Sequence, residues 1–195
     1  MEKIKYRDLI MQYLTALEPD QTITTEQVAE YVAERLLLDT AMVKKTVNEN
    51  MARLEKETLF CKQLLRKENE KIGYETGMSE LNRIGLVSQM PKRRCIATNL
   101  HTKRIPEGMQ IEILKPPIVV YSGNFRYLLI LDAIRELDMA PVDTAKPIDV
   151  VRATVEEFTL KTEMLILMAR KYYGQKTLLR TIDILLEGSY ETARG

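Results

Sequence analysis

Histidine and cysteine are nearly missing from these 195 residues: there is one His and there are two Cys. Two thiols 34 positions apart, Cys61 and Cys95, make no disulfide framework, and they read as small apolar strand residues rather than nucleophiles. The lone His101 sits in a polar turn, LHTKR, with no second His or thiol nearby, and reads as a loop residue rather than a metal ligand or base. No Walker loop, GxGxxG turn, G-x-S-x-G elbow or HExxH helix occurs. Adjacent carboxylates such as Glu156-Glu157 diverge on a helix and serve solvation. These absences argue against an enzyme, and no cofactor or metal is expected.

Long apolar runs are missing too. LLIL at 128–131 and MLILMA at 164–169 are far too short to span a bilayer, and residues 1–20 carry charges throughout without a signal-peptide core. The expectation is a soluble cytoplasmic protein with no membrane partner. Its hydrophobic fraction of 45% is ordinary for a globular chain.

What is present is uneven charge. Residues 1–60 hold 8 Lys/Arg against 11 Asp/Glu, residues 61–104 hold 10 against 4, and residues 105–195 hold 11 against 13. One central basic segment suits a local anion-binding surface.

The first sixty residues predict three helices. Ile4, Leu9, Ile10, Tyr13, Leu14 and Leu17 share one face, and Pro19 ends that helix. Thr24 or Thr25 can cap TEQVAEYVAERL, where Val28, Val32 and Leu36 recur every four residues, and Thr24 with Gln27 matches the capping box. A third helix starts at Asp39 or Thr40 and turns Val43, Val47, Met51 and Leu54 to one side. This order is that of a helix-turn-helix domain. TLFCKQLL (58–65) and IGYET (72–76) read as strands flanking the polar tip RKENEK, which would make a wing. The fold class expected is therefore α+β: a winged helix-turn-helix domain over 1–76, then a mixed α/β domain over 77–195 that ends in helices. In the latter, 79–86 reads as a helix, and 94–99 and 109–115 as strands. Asn124 caps a helix that Pro141 terminates, and further helices cover about 147–158, 160–173 and 175–187.

The opposite face of the third helix carries Ala41, Lys45, Asn48, Glu49 and Ala52, with Lys44 at its edge and Thr40 at its start. Lys can hold phosphate or guanine, and Asn can pair with adenine in the major groove. An ordinary solvated helix face collects the same residues. Arg66, Lys67 and Lys71 at the wing tip would contact flanking phosphates, which favours double-stranded DNA as the partner. Lys92, Arg93 and Arg94 precede a strand. They suit phosphate contact or, equally, an edge strand kept soluble by charge.

The stretch GYETGMSELNRIGLVSQMPKRRCIATN resembles the signature of AbiEi-like antitoxins of bacterial abortive-infection systems. There a Gly-Leu-x-x-Gln segment follows a short helix and leads into a strand ending at Thr-Asn. The matching positions are Gly85, Leu86, Gln89, Thr98 and Asn99, with Gly77 upstream. The likeness continues into ILKPPIVVYSGNFRYLLILDAI and covers roughly residues 40–140, including NENMARLEKE. Ile72-Gly73-Tyr74 departs from the Gly-x-Tyr-Tyr wing element of many relatives, and Val87-Ser88 replaces their small hydroxyl pair. The resemblance implies a transcriptional autorepressor that binds its own promoter region and opposes a co-encoded nucleotidyltransferase-like toxin, without needing a stable complex with it. Self-association on DNA fits the same picture. Gly188-Ser189 lacks the paired aspartates of the toxins, which places this chain on the antitoxin side. The competing expectation is a non-enzymatic protein-interaction module with a structural helical N-terminus.

Overall fold

The computed structural model describes residues 6–17, 23–89, 91–100, 104–137 and 139–191, with side chains through 186. Ile4, Pro19 and His101 lie outside them. The chain is α+β and mostly helical. It forms two compact units, Met1–Phe60 and Cys61–Gly195.

The first unit is three helices: α1 (Tyr6–Thr15), α2 (Thr25–Leu36) and the first part of α3 (Thr40–Leu65). The Thr24 hydroxyl accepts from the Gln27 amide at 3.3 Å, and the Gln27 side chain accepts from the Thr24 amide at 2.8 Å. That is the capping box read from the sequence. Asp39 starts α3 by accepting from the Ala41 amide at 2.8 Å. The predicted apolar faces meet in one aliphatic core of Leu9, Ile10, Val28, Ala29, Val32, Ala33, Val43 and Val47, with Met51 and Leu54 packed against it.

α3 does not stop before Thr58. The expected strand 58–65 is the last part of this helix, and the division between units falls inside it. The apolar period continues from Leu54 to buried Cys61 and Leu64, a helical and not an alternating spacing. Cys61 is accordingly a helix residue rather than a strand residue. At the position between, Glu57 interrupts the apolar pattern, yet it is buried because Arg7 meets it at 3.1 Å.

With 58–65 helical, the expected wing pairing cannot form. A two-residue ladder remains, β1 (Arg66–Lys67) against β2 (Glu70–Lys71). IGYET supplies β3 (Gly73–Thr76), which pairs antiparallel with β4 (Arg94–Thr98) instead. Gly73 is required there: a Cβ would lie 2.4 Å from the Leu64 carbonyl oxygen and 2.8 Å from that of Ala97. Residues 61–76 thus belong to the second unit, so the units divide ahead of the boundary expected at Gly77.

The sheet is completed by β5 (Ile111–Leu114), parallel to β4, in the order β3-β4-β5. α4 (Met78–Arg83) follows Gly77, whose φ of +65° suits glycine. Against the sheet lies α5 (Phe125–Glu136), with every residue from 128 to 134 buried, the pattern of a helix enclosed on all sides. α6 (Pro147–Glu157), α7 (Thr162–Tyr172) and α8 (Gln175–Glu191) complete the core around Leu128, Leu131, Ile134, Val151, Leu165 and Ile184.

Two asparagines organise the approach to α5. Asn99 donates to the Val120 carbonyl and accepts from the Val120 amide, both at 2.9 Å, replacing a strand partner. Asn124 sits at the start of α5 but caps nothing. Its side chain turns back to accept from the Tyr121 amide and to donate to the Val119 carbonyl, again at 2.9 Å. α5 itself ends at Glu136, several residues ahead of Pro141.

Candidate nucleic-acid interface

The start of α3 is positioned by a three-residue link, Leu37-Leu38-Asp39. Leu37 is left-handed, with φ 53° and ψ 43°, and the residue is 92% exposed. A leucine in that region is uncommon; here it turns the chain sharply from α2 into α3. Val43 and Val47 are fully buried, which fixes the rotation of the helix. Ala41, Lys44, Lys45, Asn48, Glu49 and Ala52 are exposed as a consequence, and Thr40 is half-buried. Lys45 and Asn48, three apart, are neighbours on the surface.

Lys44 is less available than its position suggests, because its ammonium meets Glu26 of α2 at 2.7 Å. Both side chains are exposed, so the pair adds little stability, but it neutralises one of the two cations on this face.

The basic residues of the second unit form a separate group. Arg66 and Lys67 are exposed on β1, and Lys71 stands opposite Arg66 on β2. The turn between them holds Glu68, itself left-handed at φ 54°. The Lys71 ammonium lies 4.6 Å from the Phe125 ring centre rather than outward with Lys67. Burial pulls its pKa down, and Arg66 adds to this, while Glu75 and Glu80 oppose it.

Lys92 and Arg93 are exposed just before β4, whereas Arg94 forms a close ion pair with Glu75 of β3. β4 is the middle strand of the three, so edge protection does not explain these cations. The structure therefore groups Thr40, Lys44, Lys45 and Asn48 on one helix face and Arg66 with Lys67 on one hairpin. It leaves Lys92 and Arg93 as a flank and engages Lys71 and Arg94 elsewhere.

Sequence reasoning missed a second constellation. Lys71, Glu80, Arg83, Phe125, Arg126 and Phe158 line a cleft of about 290 Å³ within the second unit. Arg83 holds the buried Glu80 through Nε at 2.9 Å and through Nη2 as a close contact. Burial pushes the Glu80 carboxyl up, and the bond from Arg83 opposes that rise. Arg126 lies over Phe158, 5.0 Å from the ring centre. The only sequence signal was a Glu-x-x-Arg pair and the Phe125-Arg126 step; that they meet is a tertiary fact.

Asp132 was missed as well. Buried in α5, it accepts from the Tyr74 hydroxyl at 2.8 Å, Thr76 at 2.9 Å and Tyr173 at 3.0 Å, with Arg135 at 3.2 Å. Burial and then the Asp132 charge push both tyrosines well above their ordinary range, so they stay protonated donors. The cluster has the bonding of a structural network rather than of an acid-base site.

Among the described residues no group of three His, Cys, Asp or Glu could hold a metal ion, and no helix is long and apolar enough to cross a membrane. Comparisons with protein-family models, with curated proteins and with solved structures returned no match.

Proposed function

We propose that this chain is a DNA-binding transcriptional autorepressor and the antitoxin of a toxin–antitoxin pair. In this reading the first unit is a helix-turn-helix domain that uses α3 on its own promoter region, and the second unit counteracts a nucleotidyltransferase-like toxin. The observation that carries it is the N-terminal half of α3. A three-residue turn presents the helix behind α2, and its outward face holds Lys45 and Asn48 beside the small residues Ala41 and Ala52. A recognition helix reads base edges with that half. Arg66, Lys67, Lys92 and Arg93 are exposed cations suited to phosphate contact. The antitoxin half of the proposal rests on the signature at 73–99 and 113–134, where Thr98 and Asn99 hold the end of β4 and the segment before α5.

A gel shift on the chain's own upstream DNA, repeated over several salt concentrations, tests the first half. A specific complex that weakens steeply with salt is expected; equal affinity for unrelated DNA would sink it. Growth rescue against the cognate toxin tests the second half. Residues 61–195 are expected to be required and Lys45→Ala to be tolerated; rescue by residues 1–60 alone would overturn the assignment.

A further inference from the structure

The cleft lined by β2, β3, α4 and α5 contains two cations that the proposed DNA interface does not use: Arg126, and Lys71, which turns from the hairpin tip onto Phe125. Its carboxylates are already engaged: Glu80 by Arg83 and Glu75 by Arg94. Lys71 and Arg126 have no ion pair among the described residues, and each is held against a phenyl ring instead, Lys71 on Phe125 and Arg126 on Phe158. Cation–ring contacts hold such groups in place without neutralising them. Glu75 and Glu80 also line the cleft and act on Lys71, but two carboxylates against the three cations Lys71, Arg83 and Arg126 leave positive charge in excess, which a bound anion would balance.

The volume, about 290 Å³, is near the lower end of the ~300–1,000 Å³ range of small-molecule clefts. Phe158 and Leu129 add apolar lining. Arg83 spends Nε and Nη2 on Glu80, so its Nη1 is not part of that pair. Three cations lining one cavity beside Phe125, Phe158 and Leu129 match a phosphomonoester, which has close to two charges and three acceptor oxygens, joined to a flat body that packs on the rings.

We infer that the second unit binds a small phosphomonoester carrying a planar ring, of the nucleoside monophosphate class, with Lys71 and Arg126 on its phosphate. This site is independent of the α3 face, so its failure and that of the DNA reading are separable.

Calorimetric titration of the full chain with AMP, adenosine and inorganic phosphate tests the inference. AMP is expected to bind saturably, phosphate more weakly and in competition with it, and adenosine not at all. Lys71→Met and Arg126→Met should each weaken AMP by about tenfold or more. Arg126 is exposed and Lys71 half-buried, so both variants should fold; unchanged circular dichroism and thermal midpoint confirm it. Phe158→Leu should weaken AMP more than phosphate. Absence of AMP binding overturns the inference, as does AMP binding that both Met variants leave intact. Phosphate binding as tight as AMP binding overturns the assignment of a ring-bearing ligand.

Discussion

The two units are stabilised by different means. The first is a three-helix aliphatic core whose buried residues form one face on each helix. The second has a larger apolar core but is threaded by polar residues that join distant parts of the chain: Asp132 to Tyr74, Thr76 and Tyr173, and Asn99 to Val120. In the first unit neighbours in sequence determine the faces, with Arg7–Glu57 as a long-range polar pair. In the second, more of the buried polar side chains take their meaning from a partner tens of residues away.

The sharpest way to break this comparison is Asp132. Asp132→Ala would leave the buried hydroxyls of Tyr74 and Thr76 without this acceptor, a loss of about 2–5 kcal/mol at about 1–3 kcal/mol for each unsatisfied group. Urea unfolding should show it, and Asp132→Asn, which keeps an acceptor oxygen, should lose clearly less. Equal losses would mean that volume rather than hydrogen bonding sets the cost. In the first unit, by contrast, Ile10→Val should cost only about 0.5–1.5 kcal/mol, because it trims one methylene from an aliphatic cluster and leaves no hydrogen bond unmade.

A smaller effect is expected at Asn99. Asn99→Ala removes both bonds to Val120, at about 1 kcal/mol each, and should loosen the segment leading into α5 before the core responds. Hydrogen exchange at the Val120 amide reports this directly: protection falls well below that of α5. Uniform loss of protection across both would show that Asn99 supports the whole unit rather than this segment.

How much of this was legible in the sequence follows the same division. The capping box at Thr24, the start of α3 at Asp39, the buried faces of α1 to α3 and the helices after Lys146 all follow from local periodicity and capping chemistry. The end of α3 did not, because Glu57 breaks the apolar pattern and its partner, Arg7, is fifty residues away. The strand read at 58–65 rests on a short, apolar, β-compatible composition that serves a buried helix end equally well, and the wing falls with it. Among the candidate site residues, the exposure of Lys45 and Asn48 was readable from the buried Val43 and Val47. The engagement of Lys44 by Glu26 and of Arg94 by Glu75 was not. Asn124 was placed rightly at the start of a helix but for the wrong bond, since its amide serves the turn before it.

On DNA the comparison becomes quantitative within one helix face. Lys45→Ala should make the salt dependence of operator binding shallower by about 0.9 in log–log slope, the value of one phosphate contact. Lys44→Ala should change it less, because Glu26 already shares that charge. Asn48→Ala should cost about 1–3 kcal/mol at the correct site and far less on unrelated DNA. Overlaid curves for all three variants would remove α3 from the interface.

The smallest expected effect concerns the sheet and is invisible near neutral pH unless the chemistry is probed. Cys95 on β4 stands opposite Glu112 on β5, with its sulfur 3.8 Å from the carboxylate. Burial, and then the Glu112 charge, push the thiol up to about 11 from its ordinary 9.0. Its folded value lies above its unfolded one, so whatever stability this adds is complete below the unfolded value and is lost as pH rises through about 11. Between pH 7 and 8.5 stability should not change on this account, but reactivity should differ. A thiolate fraction set by a shift of that size makes iodoacetamide alkylation of Cys95 about a hundredfold slower than that of a free cysteine peptide. Peptide mass spectrometry separates Cys95 from Cys61, which is buried at the end of a helix and should react only through unfolding. Glu112→Gln should speed Cys95 without restoring the free rate, because burial is the larger cause. A parent rate equal to that of the free peptide would mean that β4 and β5 do not bring these two side chains together.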